Sequence, residues 1–236
     1  MPSQTSQQPL IELQHINVKL LLKSPEELDL ELVIPVFHSW IQDQVCEELL
    51  LDVADYRHVH GGPGVLLIGH EADYSLDNTD NRLGVRYKRK AVLEGGNQGR
   101  LSQAARAALS ACQRLEQDTR LNGKLHFNGQ DIEILVNDRL LSPNRQAIRE
   151  AVNEDFQVFS EKLFGGREYS LSSNSDPRKL LAVSLRASRS VTVGELLENL
   201  GSKPLADGMG KLGPRDAGRD YDWSRGNGFG HGECAD

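Results

Sequence analysis

The residues Leu125-His-Phe-Asn128-Gly129-Gln-Asp-Ile132 decide the predicted fold class. Asn-Gly between two runs of alternating polarity is the strongest short-range signal for a two-residue β-hairpin, because both residues tolerate positive φ. Pairing across this turn sets Leu125 opposite Ile132 and Lys124 opposite Glu133, so that apolar residues share one face and charged residues the other. The stretch therefore predicts an antiparallel sheet with one buried face.

A second hairpin extends this sheet towards the N-terminus. It joins residues 65–76 to residues 82–90 through a turn rich in Asp and Asn. The register that sets Glu71 opposite Lys88 stacks opposite charges on the solvent face. The same register directs His70 to the core face.

A third hairpin and a short helix form the last part of the predicted domain, before residue 200. Segments 168–172 and 180–187 flank Ser173-Asn-Ser-Asp-Pro177, whose residues favour a turn. The next segment, 191–200, predicts a short amphipathic helix that packs on the domain.

Three longer segments show helical periodicity. Apolar residues recur at three- and four-residue spacing over 35–41, 101–115 and 148–163. Ser142-Pro143 supplies an N-cap and a first-turn proline for the last of these helices. Helices that separate hairpins predict a single α+β domain over residues 9–200. We expect a mixed, mainly antiparallel sheet with about three helices on one face.

The two ends of the chain differ from this middle. Residues 1–8 are polar, and residues 201–236 hold 9 of the 22 glycines with little aliphatic periodicity. Such segments bury too little apolar surface to offset their ordering entropy, so we expect a disordered N-terminus and a flexible Gly/Asp-rich tail. The tail retains Tyr221, Trp223 and Phe229, which gain free energy only when something buries them. They are the candidate partner-binding residues.

Composition excludes several classes of protein. A net charge of −7 argues against a protein held on nucleic acid by phosphate contacts. No stretch approaches the roughly 20 apolar residues of a membrane span, and residues 1–8 show no secretory signal peptide. The three cysteines are widely spaced and do not make a disulfide framework. We therefore expect a cytoplasmic protein without a membrane or nucleic acid partner.

Arg86-Tyr-Lys-Arg-Lys90 is the one dense basic run. Stacking of Tyr87 on a base beside phosphate-binding cations is one interpretation. Alternation, however, sends Tyr87 to the opposite face from Arg86, and Glu71 and Asp73 partly neutralise the charged side. A solvated strand face is the favoured interpretation.

Histidines near a glycine-rich turn are the candidate metal ligands. His58 and His60 are two residues apart, hence on one face of a strand, and His-x-His is a common metal pair. With His70 and Glu71 they could complete a site for a divalent metal, the one cofactor that the sequence suggests. The favoured alternative is two loop histidines and one core histidine, because the hairpin register directs His70 and Glu71 to opposite faces.

The sequence favours a non-catalytic protein-binding or accessory protein that uses an exposed sheet face or the tail. It has neither a Gly-x-Ser-x-Gly elbow nor a dinucleotide-binding fingerprint, and no histidine lies near a cysteine within the folded segment. The alternative is a metal-assisted enzyme centred on His58 and His60.

Overall fold

The computed structural model describes residues 11–25 and 28–201. These residues contain one eight-stranded antiparallel sheet. The strands are β1 (Ile16–Leu22), β2 (Leu50–Tyr56), β3 (Gly64–Gly69), β4 (Ala72–Asp77), β5 (Gly84–Arg89), β6 (Phe127–Val136), β7 (Tyr169–Ser173) and β8 (Leu181–Ala187). The helices are α1 (Val33–Asp43), α2 (Asn97–Gln117), α3 (Gln146–Leu163) and α4 (Val193–Asn199). This architecture confirms the α+β class. The predictions for residues 1–8 and 202–236 lie outside the described residues.

The eight strands form one sheet in the order β2-β3-β4-β5-β1-β6-β8-β7, and every pairing within it is antiparallel. Strand β1, the first in the chain, lies between β5 and β6 and so joins the meander β2–β5 to the C-terminal strands. The hairpin of β7 and β8 forms as predicted, with Tyr169 opposite Ala187.

The helices share one hydrophobic core on one face of this sheet. Val18, Tyr87 and Ile134 are fully buried on that face. Helix α2 packs on β1 and β5, and its Ala104 and Ala108 permit a close approach because their side chains are small. Among the described residues, no helix combines the length and the apolar character that crossing a membrane requires.

Residues 65–76 form two strands rather than one. The chain reverses at His70 and Glu71, between β3 and β4, and this reversal changes which alternate residues face the core. Leu67 is fully buried and His70 is exposed, so the prediction that His70 faces the core was wrong. The register with β5 sets Asp73 opposite Lys88, two residues from the predicted pairing.

The predicted hairpin at Asn128-Gly129 does not exist, because both residues lie within β6. Asn128 Oδ1 accepts a hydrogen bond from the N–H of Gln130 at 3.1 Å, and the register with β1 shifts at this point. The local turn chemistry therefore makes a bulge instead of a chain reversal. A Cβ on Gly129 would lie 2.4 Å from the carbonyl oxygen of Val191, so this position needs glycine for close backbone contact.

The start of α3 also differs from the prediction. Its N-cap is Arg145, and the predicted cap, Ser142, is buried with its hydroxyl donating to the carbonyl of Glu12 at 3.0 Å. Ser142 thus ties the β6–α3 connection to the segment before β1. Helix α4 forms as predicted, with a capping box between Thr192 and Glu195.

Candidate functional site

The four predicted metal ligands lie at opposite ends of β3. His58 and His60 occupy the turn between β2 and β3, and His70 and Glu71 occupy the turn between β3 and β4. All four are exposed, and the length of β3, roughly 17 Å, separates the two pairs. No group of three or more His, Cys, Asp or Glu side chains within residues 11–25 and 28–201 is arranged to hold a metal ion. The structure does not bring these four residues together.

The other predicted sites are the aromatic residues of the tail and the basic run at residues 86–90. The aromatic residues Tyr221, Trp223 and Phe229 lie outside the described residues. In the basic run, Lys90 Nζ contacts Asp73 Oδ1 at 2.6 Å and Arg89 Nη1 lies 3.4 Å from a Glu71 carboxylate oxygen. Carboxylates thus neutralise much of the run, as expected for a strand face.

A cavity of about 730 Å³ opens on the sheet face opposite the helices. It crosses β5, β1, β6, β8 and β7, which are consecutive in the sheet. Its charged lining residues are Lys19, Asp80, Arg82, Arg86, Glu133, Arg139, Arg178 and Lys179. No residue of α1–α4 lines this cavity, so a ligand reaches it without displacing a described helix.

Positive charge dominates the cavity. Six cationic side chains and two carboxylates line it, and Asp77 and Asp176 also pair with lining residues. The cations exceed these carboxylates by two, in a chain whose net charge is −7. Because a cleft lined by one sign of charge concentrates ions of the other sign, the cavity attracts anions.

A buried ion pair forms the floor of the cavity. Lys19 Nζ donates to Asp77 Oδ1 at 2.7 Å, and each of the two side chains is 4% exposed. Arg86 Nη1 lies 3.2 Å from Asp77 Oδ2, so two cations share this carboxylate. Burial lowers the pKa of Lys19, although the hydrogen bond to Asp77 acts in the opposite direction. The floor therefore carries one positive charge more than it has carboxylates.

Asn17 lies beside this pair on β1 and also lines the cavity. It is 6% exposed, and its Oδ1 has no hydrogen-bond partner within the described residues. A buried acceptor without a donor costs about 1–3 kcal/mol of stability. Asn17 is therefore a cavity-lining residue whose buried acceptor the described residues leave unsatisfied.

The rim of the cavity carries its least committed cations. Arg82 pairs with Glu133 and Arg178 with Asp176. Arg139 is exposed and makes no hydrogen bond or ion pair with another described side chain. Lys179 is exposed as well, and its backbone N–H donates to the Asp176 carbonyl, whereas its side chain acts on the Asp176 carboxylate only through longer-range attraction. Arg139 and Lys179 are thus the cations most available to an incoming anion.

The covered face of the sheet holds a different polar cluster. Glu48, 3% exposed, accepts hydrogen bonds from Tyr74 Oη at 2.7 Å and from Tyr87 Oη at 2.8 Å. Burial, reinforced by this carboxylate, raises the pKa of both tyrosines, so their hydroxyls stay protonated and donate. Burial also raises the pKa of the neighbouring Cys46 thiol to about 11. A thiol of such high pKa is a poor nucleophile, and the cluster acts as a structural clasp between the α1–β2 connection and the sheet.

Sequence reasoning singled out Arg86 in the basic run but missed the other cations of the basic cavity. The segment Ile16-Asn-Val-Lys-Leu20 alternates apolar and polar residues and so contains the signal that Asn17 and Lys19 face away from the core. The convergence of Arg139 and Lys179 on the same cavity depends on the strand order. A single sequence does not reveal that order.

The fold and the site define an α+β domain in which a single antiparallel sheet is covered by helices on one face and holds a basic cavity on the other. No protein family, curated protein or solved structure matches this chain.

Proposed function

We propose that this chain is a non-catalytic, cytoplasmic binding or accessory protein that holds an acidic segment of a protein partner in the basic cavity. The observation that carries the proposal is the surplus of cations around a cavity with a buried Lys19–Asp77 floor, in a protein that is acidic as a whole. The free thiols of Cys46 and Cys112 suit a reducing compartment.

Electrostatics and size both favour an acidic peptide. A volume of about 730 Å³ falls in the range of small-ligand and peptide sites. Complementary charge raises the rate of association and fixes the orientation of the partner more than it adds affinity. The metal-assisted alternative draws no support from the arrangement of His58, His60, His70 and Glu71.

Fluorescence anisotropy on the full chain tests the proposal. A labelled Glu-rich peptide should bind, and the matched Gln-rich peptide should not. The double variant Arg139→Glu/Lys179→Glu should weaken binding by about tenfold or more, because it replaces the two freest cations by carboxylates. Added salt should weaken binding as well.

A charge change elsewhere provides the control. Lys162 is an exposed residue of α3, outside the cavity lining. Lys162→Glu should bind the Glu-rich peptide within about twofold of the unaltered protein, since screening weakens its distant charge. Equal losses in Lys162→Glu and in the double variant would refute a local site.

A further inference from the structure

The loop between β6 and α3 carries two exposed leucines that directly follow a lining residue of the basic cavity. Leu140 is 88% exposed and Leu141 is 48% exposed, and the preceding residue, Arg139, lines the cavity. The Asp138 carboxylate fixes this loop, because it accepts hydrogen bonds from the N–H groups of Leu140 at 3.0 Å and Leu141 at 2.9 Å. His15 Nδ1 lies 3.2 Å from the same carboxylate. The apolar tip is therefore held in place by hydrogen bonds.

The unpaired oxygen of Asn17 favours a peptide over a phosphate compound as the ligand of the cavity. Its unpaired Oδ1 is an acceptor and needs a donor. Phosphate groups at neutral pH present mainly acceptors, whereas every residue of a peptide except proline presents a backbone N–H. An acidic peptide thus satisfies both Asn17 and the surrounding cations, and a simple polyanion satisfies the cations alone.

The dimensions of the cavity suit an extended chain. From β5 to β7 the cavity spans four strand spacings, or roughly 19 Å. At about 3.3 Å per residue, some six residues of an extended peptide cover this distance.

We propose that the cavity selects an extended peptide in which acidic residues adjoin a large apolar residue. The acidic side chains pair with Arg139 and Lys179, a backbone N–H donates to Asn17 Oδ1, and the apolar side chain packs on Leu140 and Leu141. This inference rests on the proposed function and specifies the sequence that the partner presents.

A comparison of peptides tests the apolar element. A Glu-rich peptide with one leucine should bind about tenfold more tightly than the same peptide with serine in its place, which is the difference that burial of one leucine supplies. Leu140→Ser should abolish that preference. Val158→Ser should retain it, because Val158 is an exposed apolar residue of α3 outside the cavity lining.

A variant of Asn17 tests the peptide element. Asn17→Val removes the unpaired acceptor and should weaken binding of the leucine peptide several-fold while the protein becomes more stable. Ser160→Ala is the control. It removes a buried hydroxyl that also has no hydrogen-bond partner within the described residues, but Ser160 does not line the cavity, so peptide binding should be unchanged.

The outcomes separate this inference from the proposed function. Equal affinity for the leucine and serine peptides, with both still sensitive to Arg139→Glu/Lys179→Glu, would overturn the inference and leave the proposed function intact. Binding of tripolyphosphate, with no binding of either peptide, would overturn both.

Discussion

The two faces of the sheet each bury a carboxylate, and they surround it with different partners. On the covered face, Glu48 accepts hydrogen bonds from the neutral hydroxyls of Tyr74 and Tyr87, and one cation, Arg89, lies 3.8 Å away. On the open face, Asp77 is paired with two cations, Lys19 and Arg86. Both carboxylates contact β5, through residues that are adjacent in the chain and point to opposite sides of the sheet.

This difference separates a structural cluster from a binding site. Two tyrosine hydroxyls and the single cation Arg89 surround Glu48, so this cluster carries no surplus of positive charge. Two cations around Asp77 leave positive charge beside an unpaired Asn17 and an open cavity. Charge that the fold does not balance is available to a partner.

Loss of the carboxylate on the covered face should have the largest effect. Glu48→Ala leaves two buried tyrosine hydroxyls without their acceptor, and we expect it to lower the free energy of unfolding by about 4 kcal/mol. Glu48→Gln keeps one acceptor and should cost about half as much. Urea denaturation measures both values. A loss below about 1 kcal/mol in Glu48→Ala would show that the clasp is not structural.

Loss of the carboxylate on the open face should cost somewhat less and should leave peptide binding intact. Asp77→Asn leaves Lys19 buried without its counter-charge, at a cost of about 3 kcal/mol. The cavity gains positive charge, so the Glu-rich peptide should bind at least as tightly as before. The affinity should be measured under conditions in which the variant is folded. A loss of peptide affinity in Asp77→Asn under those conditions would contradict the assignment of separate roles.

The pH dependence of stability provides a check on Lys19. Its pKa in the folded protein is below the usual value of 10.5, so the unfolded chain binds more protons between these two pKa values. Stability should therefore rise with pH across that window, relative to Lys19→Met. Denaturation of both proteins at about pH 7 and about pH 10 measures the difference. A fall in relative stability would mean that the ion pair with Asp77 outweighs burial.

Removal of the unpaired acceptor should have a smaller effect of opposite sign. Asn17→Val should raise the free energy of unfolding by about 1 kcal/mol, because a buried oxygen without a donor is replaced by apolar atoms. The matched variant Ser160→Ala should show a gain of similar size. Calorimetric melting of both variants gives the comparison. A marked destabilisation by Asn17→Val would show that Asn17 serves the fold rather than a ligand.

Substitution of the exposed histidines should have the smallest effect. His58→Ala and His60→Ala should each change stability by less than about 0.5 kcal/mol, since both residues lie in an exposed turn. Chelator treatment should not change the melting temperature of the unaltered protein. A melting temperature that falls with chelator, and no longer does so in His60→Ala, would restore the metal hypothesis.

Local patterns predicted much of the fold. Periodicity identified the buried stripe of α2, and turn chemistry identified the hairpin of β7 and β8, because in these segments local preference and tertiary packing agree. At Asn128-Gly129 they disagree. The same Asn side chain that favours a turn makes a bulge here, and the glycine allows contact with the Val191 carbonyl.

The site was harder to predict than the fold. Alternation places Lys19 on a polar face, but its partner Asp77 is 58 residues away in the chain. Lys19 and Asp77 meet because β1 pairs with β5, and β5 also pairs with β4, which ends at Asp77. The order of the strands along the chain does not indicate this pairing. Residues that meet only through such long-range pairing give no local signal.

Nuclear magnetic resonance of the 15N-labelled full chain, titrated with the Glu-rich leucine peptide, tests the central claim most directly. We predict that amide shifts concentrate at Lys19, Ser172 and Ser184 around the cavity, while the amides of Glu48 and Gln103 on the covered face stay in place. Shifts confined to Tyr221, Trp223 and Phe229, or centred on Gln103, would contradict the assignment of the open face as the binding surface.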